Sequence, residues 1–406
     1  MSTIYSFNHL IAERTRDYPN LEILGIPDKN LNAVSNISYV VTEMALYRMG
    51  YCVLFLSPNN SPSAIAHLLT VTNATHVIVQ DALLPSAAAA LTHLSNPSSV
   101  TIINQPSSDV FGSAARSLHP EKTRWDPALK WEDEYLLPVT VIHSSGSTGF
   151  PKPITATNKA AVGNSLMNFG LASLTTLPLY HAHGHANLYR AICATKPLYL
   201  FPTGSMPLTS TNVIKLLKQA PDVEALFGVP LALKLLAETT EGLQVLKSLK
   251  LVMFGGSPCP DELGDFLAIM VLVERNLTFG IPLFNAAETG QLMTSFRDFE
   301  TDKGWNWTRA KGPHVMSNRP DGSYATKDLF IKHPTIPDAY KFMGRIDDTL
   351  VMVLTGEKTN PVPMELTLRS SPYIADAIIF GAGRIQIGAL ILPTEIAKDC
   401  SASELA

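Results

Sequence analysis

Short apolar runs alternate with helix-like stretches along most of the chain. Five runs rich in β-branched and other apolar residues predict strands, at 51–56, 75–79, 139–142, 197–201 and 249–254. They are largely apolar on both faces, as are strands buried in a parallel or mixed sheet. Helices are predicted between them, at 61–69, 85–94, 213–217 and 231–238. The first helix begins at Ser61-Pro62, a good N-cap followed by a proline at the first helical position.

Two stretches are predicted to interrupt this alternation. Residues 95–117 are rich in Ser, Asn and Pro, which favours a surface connection. Around residue 346 the pattern changes, and strands are predicted at 350–354, 377–380 and 389–392. The sequence therefore predicts an α/β fold: a large core with β-sheets flanked by helices, residues 1–346, and a small α+β subdomain, residues 347–406.

Composition excludes several classes of protein. Lys and Arg total 31 and Asp and Glu total 35, so the net charge of −4 offers no basic surface to nucleic acid. The four cysteines form no C-x-x-C pair, which argues against zinc ligation and a disulfide framework. No signal peptide is recognised, and the longest apolar run, 266–273, is far shorter than the ~18 residues that span a bilayer. We expect a cytoplasmic protein with neither nucleic-acid nor membrane partners.

The strongest candidate site follows the predicted strand 139–142. Its residues are His143, Ser144, Ser145, Gly146, Ser147, Thr148, Gly149 and, after two more positions, Lys152. Glycines let successive backbone N–H groups converge on an anion, and the lysine adds a positive charge. A Ser/Gly-rich surface turn is the alternative. Neither the Gly-Lys-Ser/Thr of a Walker loop nor the G-x-S-x-G of a hydrolase is present, so a different phosphate-binding loop is favoured.

Residues 143–153 resemble the signature phosphate loop of the adenylate-forming, or AMP-binding, enzymes, which include acyl-CoA synthetases, luciferases and adenylation domains of nonribosomal peptide synthetases (NRPS). The form His-Ser-Ser-Gly-Ser-Thr-Gly-x-Pro-Lys-Pro is most similar to that of the fungal NRPS-like carboxylic acid reductases. Further motifs follow in the family's order over nearly the whole chain. The resemblance implies that residues 1–346 form an adenylation core that binds ATP and an acyl group.

The next motif contains alternating histidines. Residues 178–185 are similar to the family's Pro-Leu-Phe/Tyr-His-x-x-Gly element, which implies that His181 and Gly184 lie beside the acyl pocket. Histidines at every second position could also share one face of a strand and bind a metal. No acidic or cysteine ligand is nearby, which makes the metal less favoured. For His183 and His185 a packing role is at least as well supported as a functional one.

Two later motifs resemble the family's adenine and magnesium elements. Gly255, Gly256 and Ser257 would line the adenine pocket, although such a turn is also a common end to a strand. The resemblance places Phe284 at the acyl substrate and Asn285, Ala286, Ala287 and Glu288 at ATP, with Glu288 binding Mg²⁺. A carboxylate suits Mg²⁺, which prefers hard oxygen ligands, but Glu288 could also be an ordinary solvated acid. Ala287 replaces a threonine that contacts the α-phosphate, a loss on the order of 2–4 kcal/mol of catalysis.

The nucleoside is expected to be held nearer the C-terminus. Asp328 lies in a segment that resembles the family's Tyr-x-Thr-Gly-Asp-Leu and would accept hydrogen bonds from the ribose hydroxyls. Downstream, 344–348 is similar to the family's hinge. Arg345 would contact ribose or phosphate, and Asp347 would be the pivot of the small subdomain. Alternatively, Arg345 pairs with a nearby acid on the surface.

The resemblance implies ATP-dependent activation of an aryl or other carboxylic acid as an acyl-adenylate, with release of pyrophosphate, in secondary metabolism. Lys152, Glu288 and Arg345 would be the catalytic residues, ATP and Mg²⁺ the cofactors, and a phosphopantetheinyl carrier or CoA the thiol acceptor. The chain is expected to be a shortened family member, whose truncated subdomain 347–406 ends before the family's catalytic lysine. That expectation and Ala287 support a competing hypothesis, a degenerate, non-catalytic relative that binds ATP or a partner.

Overall fold

The computed structural model describes most of the chain and leaves short gaps. The described residues are 3–25, 37–106, 129–143, 150–203, 205–220, 222–256, 259–272, 278–286, 290–294, 304–310, 320, 328–346, 350–351, 358–359, 361–381 and 386–398. They form two compact units. Unit 1 contains Met1–Gly228 with Ala287–Gly290, and unit 2 contains Val229–Ala286 with Gln291–Ala406. The domain boundary predicted after residue 346 stays a prediction.

Unit 1 contains three groups of paired strands. Parallel strands β1, β8, β7 and β9 lie side by side in that order, β2 and β5 are parallel with β6 antiparallel to β5, and β3 pairs in parallel with β4. The strands are β1 (Leu24–Gly25), β2 (Val53–Phe55), β3 (His76–Val79), β4 (Thr101–Asn104), β5 (Pro138–His143), β6 (Pro153–Thr157), β7 (Ser173–Thr175), β8 (Leu198–Leu200) and β9 (Ala225–Gly228). Parallel strands alternating with helices confirm the predicted α/β class.

The helices of unit 1 cover these strands. They are α1 (Phe7–Asp17), α2 (Ile37–Arg48), α3 (Pro62–Val71), α4 (Leu84–Leu91), α5 (Trp131–Glu134), α6 (Asn158–Leu166), α7 (Ala182–Ala194) and α8 (Ser210–Gln219). The predicted cap of α3 is present, since Ser61 Oγ accepts a hydrogen bond from the amide of Ala64 at 3.3 Å. The predicted surface connection 95–117 is wrong over its first part, because β4 lies there and pairs with β3.

A buried polar cluster joins α2 to α7 inside the main core of unit 1. One carboxyl oxygen of Glu43 accepts hydrogen bonds from Nε2 of His185, at 2.8 Å, and from the hydroxyl of Tyr189, at 2.7 Å. Phe7 of α1 stacks on the Tyr189 ring with 3.6 Å between centroids. Both donors bind the same carboxyl oxygen, and the other one, Oε2, is buried without a hydrogen-bond partner among the described residues. The cluster joins α7 to α1 and α2.

The β3–β4 segment has a core of its own. Its buried side chains come from α3, the two strands, α4 and the turn before β4, and are Ile65, Leu69, Val77, Val79, Ala87, Ala90 and Val100. The segment therefore buries apolar surface largely from within one short stretch of chain.

Unit 2 begins with two parallel strands and continues with antiparallel ones, in the order β10, β11, β12, β13, β15, β14. These are β10 (Leu251–Phe254), β11 (Thr278–Ala286), β12 (Gly290–Thr294), β13 (Thr308–Ala310), β14 (Asp328–Lys332) and β15 (Ala339–Arg345). Two further pairs follow, β16 (Leu350–Val351) with β17 (Lys358–Thr359), and β18 (Ile374–Phe380) with β19 (Gly388–Pro393). The helices are α9 (Pro230–Ala237), α10 (Thr240–Ser248), α11 (Asp261–Leu272), α12 (Pro361–Ser370) and α13 (Glu395–Lys398).

Lys234 of α9 is bound to the end of α12. Its ammonium donates to the carbonyl oxygens of Arg369 at 3.0 Å, Ser371 at 3.4 Å and Ile374 at 2.9 Å. The last carbonyl groups of a helix have no partner within the helix and attract positive charge. Burial lowers the pKa of Lys234, and nearby Glu238 opposes that shift. One side chain thus joins α9 to the turn between α12 and β18.

Candidate functional site

The described residues on both sides of the predicted phosphate loop lie next to each other. His143 ends β5 and Pro153 begins β6, and these two residues are direct partners in the antiparallel ladder. Lys152 is exposed immediately before β6. Residues 144–149, with the serines, glycines and threonine of the loop, lie outside the described residues. The ladder holds the two ends of the loop together, as a loop that closes around an anion requires.

His143 connects the loop to the end of strand β2. Its Nε2 accepts a hydrogen bond from the backbone amide of Ser57, at 3.1 Å, and lies 3.0 Å from Nδ2 of Asn60. A backbone N–H can only donate, so Nε2 carries no proton and the Asn60 amide also donates to it. This ring nitrogen is therefore engaged within the protein. The predicted contact of His143 with ATP stays a prediction.

Tyr180 and His181 lie close to the same turn. Burial raises the pKa of Tyr180, and a hydrogen bond with the Ser57 side chain opposes that shift. Burial lowers the pKa of His181, and the proximity of a second imidazole, that of His143, lowers it further. The structure thus brings the residue that opens the phosphate loop together with the motif predicted to lie at the acyl pocket. Ser57, which contacts both His143 and Tyr180, and Asn60, which contacts His143, were not predicted as site residues.

The histidine motif is a helix, and the strand geometry considered for a metal site is wrong. His181 is the N-cap residue of α7, so His183 and His185 lie within a helix and point in different directions. His185 is bound to Glu43 in the core. Across the parts of the chain that the structure describes, there is no group of three His, Cys, Asp or Glu residues that could hold a metal ion.

Gly184 is required by close packing at the start of α7. A Cβ atom built on it would lie 2.1 Å from the carbonyl oxygen of Pro178 and 2.9 Å from that of Leu177. These two carbonyls follow β7 directly. The missing side chain therefore lets α7 begin against the carboxyl end of β7, the edge of a parallel sheet where α/β proteins bind ligands.

The Gly255-Gly256 turn has the geometry expected of an open strand end. Gly256 has φ +87°, a conformation that L side chains rarely adopt, and an added Cβ would meet only Val229 Cγ1, at 3.9 Å. The turn directly follows β10. Gly256 is exposed, whereas Gly255 is buried. The predicted adenine site at this turn stays a prediction. Ser257 lies outside the described residues.

The predicted magnesium motif follows the strand beside β10. Phe284, Asn285 and Ala286 are the last residues of β11, which runs parallel to β10 with Phe254 opposite Pro282. The carboxyl ends of parallel neighbours lie at the same edge of a sheet, so the last residues of β11 and the glycine turn lie at the same edge. Ala287 and Glu288 lie outside the described residues.

Asp328 and Arg345 are brought directly opposite each other. They are cross-strand partners at the end of the β14–β15 ladder, and both side chains are partly exposed. Side chains directly opposite in an antiparallel pair lie about 5 Å apart at their Cβ atoms. A carboxylate and a guanidinium at this spacing can bind neighbouring groups of one nucleotide. Asp347, the predicted hinge, lies outside the described residues.

These features define an α/β protein whose predicted ligand-binding motifs follow the ends of its strands. The family described as AMP-binding enzyme matches residues 33–303, and that described as AMP-binding enzyme C-terminal domain matches residues 347–406. The chain belongs to the AMP-binding enzyme family. This confirms the resemblance to adenylate-forming enzymes on which the predictions were based.

Relatives and solved structures agree with this assignment. The chain is 30% identical to adenylate-forming reductase Nps10 of Heterobasidion annosum over 95% of its own length, and 28% identical to a carboxylic acid reductase of Neurospora crassa over 89%. It is similar in fold to ATP-bound MatB from Rhodopseudomonas palustris, with a TM-score of 0.65, 14% identity and coverage of 95% of this chain and 80% of that one.

The chain spans 39% of the length of the Heterobasidion relative and 37% of that of the Neurospora relative. It therefore corresponds to one part of each of those proteins. Within the part of the chain that the structure describes, every helix is too short or too polar to cross a lipid bilayer.

Proposed function

We propose that this chain binds ATP and activates a carboxylic acid as an acyl-adenylate, with release of pyrophosphate. The observation that carries the proposal is a meeting point around Ser57, which binds both His143 and Tyr180, with His181 close to His143. It brings the start of the phosphate loop beside the motif assigned to the acid. In-line attack of a carboxylate on a phosphate of ATP needs these two elements side by side.

Each predicted site residue has a place in this reaction. The phosphate-binding set is Ser144, Ser145, Gly146, Ser147, Thr148, Gly149 and Lys152; the nucleoside set is Gly255, Gly256, Ser257, Asn285, Ala286, Ala287, Asp328 and Arg345; and the acyl set is His181, Gly184 and Phe284. The partly exposed Asp328–Arg345 pair supports the nucleoside assignment. MatB has a similar fold and was solved with ATP bound, which supports ATP as the nucleotide.

The chemistry requires positioning more than covalent help. A carboxylate oxygen of the acid forms a bond to the α-phosphorus, and the bond from that phosphorus to the bridging oxygen breaks, so that pyrophosphate leaves with the electron pair. Lys152 and the loop amides would hold the departing phosphates as their charge grows. Arg345 and Asp328 would keep the nucleoside fixed during the attack.

Mg²⁺ is proposed to bind at Glu288. A magnesium ion bound to nucleotide phosphates needs only one or two protein carboxylates, so it requires no cluster of acids such as a structural metal site has. When bound, it would neutralise charge on the phosphates.

The acceptor of the acyl group is proposed to be a thiol. The relatives named adenylate-forming reductase and carboxylic acid reductase support a carrier-bound thiol, with CoA as the alternative. Residues 347–406, matched as an AMP-binding enzyme C-terminal domain, would pivot at Asp347 between the two half-reactions. Ala287, in place of the family's threonine, favours the competing function of a relative that binds ATP without turnover.

The test is ATP–pyrophosphate exchange on the purified chain with a panel of aryl and aliphatic carboxylic acids, with ATP binding measured by calorimetry. We expect exchange with at least one acid. In Lys152→Ala the rate of exchange should decrease by about 100-fold, because this variant lacks the positive charge that holds the leaving phosphates. Lys196→Ala, at an exposed lysine outside the site, is the matched control and should exchange like the original chain. ATP binding without exchange would support the non-catalytic relative, and no ATP binding would contradict both.

A further inference from the structure

One face of α7 carries three polar side chains in the interior of unit 1. His183, Asn187 and Arg190 follow one another at helical spacings of four and three residues, so they share a face. Their exposed fractions are 8%, 1% and 3%. These three side chains belong neither to the apolar core of unit 1 nor to the predicted site residues.

The far end of this face is satisfied by protein. Arg190 donates to the side-chain oxygen of Asn187 at 3.3 Å and to that of Asn164 at 2.7 Å, and its Nε donates to the Asn164 carbonyl at 3.4 Å. These bonds fix the Asn187 amide with its oxygen toward Arg190. Its NH₂ group must therefore point away from the arginine.

The near end is not satisfied. The Asn187 NH₂ group and both ring nitrogens of His183 are buried and have no hydrogen-bond partner among the described residues. Leaving a buried polar group unpaired costs free energy, and native proteins rarely tolerate it. Three such atoms one helical turn apart indicate a place where a bound molecule supplies the partners.

The position of this place agrees with a ligand. His183 lies between His181, which is close to His143, and Gly184, which packs on the carbonyls that follow β7. It is therefore at the carboxyl edge of the parallel strands, next to the start of the phosphate loop. An acid whose carboxylate reached that loop could extend its other end along α7.

The unpaired atoms of His183 and Asn187 indicate which chemical group of the ligand could bind them. Burial and the charge of Arg190 lower the pKa of His183 to about 3, so the ring is neutral near pH 7, with one donor and one acceptor nitrogen. Asn187 contributes a donor. A hydroxyl group both donates and accepts and can satisfy donor and acceptor together. A carboxylate or carbonyl only accepts, and a hydrocarbon satisfies none of them.

We propose that His183 and Asn187 bind a hydroxyl group of the acid that this chain activates, and so select hydroxy-substituted carboxylic acids. The inference rests on the proposed adenylation. It assigns His183 and Asn187 as specificity-determining residues, in addition to His181 and Gly184.

The experiment compares acids that differ by one hydroxyl group. The probes are benzoate against its three monohydroxy isomers, and propionate against lactate and 3-hydroxypropionate. Both kcat/KM in ATP–pyrophosphate exchange and Kd from calorimetry with the acid are measured. His183→Phe and Asn187→Leu replace each polar side chain by an apolar one of similar size. Ile192→Val, buried on the opposite side of the same helix, is the control.

We expect the original chain to prefer at least one hydroxylated acid by roughly tenfold to a hundredfold, the range expected when a buried polar group is left without its hydrogen-bond partner. In His183→Phe or Asn187→Leu the preference should fall to near one, because the hydroxyl group of the acid no longer finds a hydrogen-bond partner. Ile192→Val should keep the preference. Two variants are used so that a folded one, checked by circular dichroism, is available if the other does not fold.

Three results would overturn the inference. The first is equal use, by the original chain, of acids with and without the hydroxyl group, as expected if only ordered water binds His183 and Asn187. This result would leave the proposed adenylation intact. A preference unchanged in both variants would have the same meaning. Neither exchange nor acid binding would refute the proposed function and the inference together, whereas a variant-sensitive hydroxyl preference in Kd without exchange would support the inference alone.

Discussion

Gly184 and Gly163 lie on adjacent helices, α7 and α6, in very different surroundings. A Cβ on Gly184 would lie 2.1 Å from the Pro178 carbonyl oxygen, whereas a Cβ on Gly163 would meet nothing within 4 Å. We expect Gly184→Ala to destabilise the chain by about 1–3 kcal/mol, because the start of α7 must move, and to raise KM for the acid. Gly163→Ala should stabilise it by about 0.5–1 kcal/mol, since alanine favours a helix. Urea unfolding of both variants checks this, and equal stabilities would contradict it.

His183 gives stability a defined dependence on pH. Its pKa is lowered from 6.5 to about 3 in the folded chain, by burial first and then by Arg190. As pH falls below 6.5, the unfolded chain binds a proton that the folded chain does not. The free energy of unfolding is therefore unaffected by the titration of His183 above pH 6.5. It falls between pH 6.5 and about pH 3, at about 1.4 kcal/mol per pH unit.

Between pH 7 and about pH 5, we therefore expect the free energy of unfolding to fall less in His183→Phe than in the original chain. The difference in slope should be that produced by the uptake of one proton by a histidine. Urea midpoints across this range measure the effect. His76→Gln, at an exposed histidine, is the control and should follow the original chain. Parallel curves for the original chain and His183→Phe would show that His183 is not buried as the structure has it.

At the scale of elements, Lys234 determines how the end of α12 is held. Its ammonium binds three carbonyl groups, of Arg369, Ser371 and Ile374. We expect Lys234→Met to destabilise the chain by about 1–2 kcal/mol, because it removes a charge and three hydrogen bonds from the end of a helix. Amide hydrogen exchange should become faster over 361–380 in this variant. In Lys196→Met, at an exposed lysine, exchange over that segment should not change.

Two elements, α7 and β4, were read wrongly from the sequence, and each error has a physical reason. In α7, residues from His183 to Cys193 are all buried, so no polar face reveals the helical period, while histidines at every second position imitate a strand. In β4, four residues lie within a stretch rich in Ser, Asn and Pro, and three of the four are exposed. Local composition there outweighed a pairing with β3 that only the tertiary structure supplies.

At the scale of the whole molecule, the fold class and the family could be predicted because the motifs occur in a fixed order along the sequence. The convergence on Ser57 could not, because it depends on β2 pairing with β5, and nothing in the intervening sequence specifies that register. The Asn187–Arg190–Asn164 bonds were hidden for the same reason. A polar residue at a strand end is a detectable signal, but its partner in space is not.

The β3–β4 segment affects how the chain reaches its native state. Its strands are separated only by α4 and two short turns, and its core comes largely from the same stretch. Loop closure over such a short separation loses less entropy than the pairing of β2 with β5, which encloses this whole segment. Contacts local in sequence form faster than distant ones. We therefore expect α3–β3–α4–β4 to form early, and the framework beneath the phosphate loop to be completed only around it.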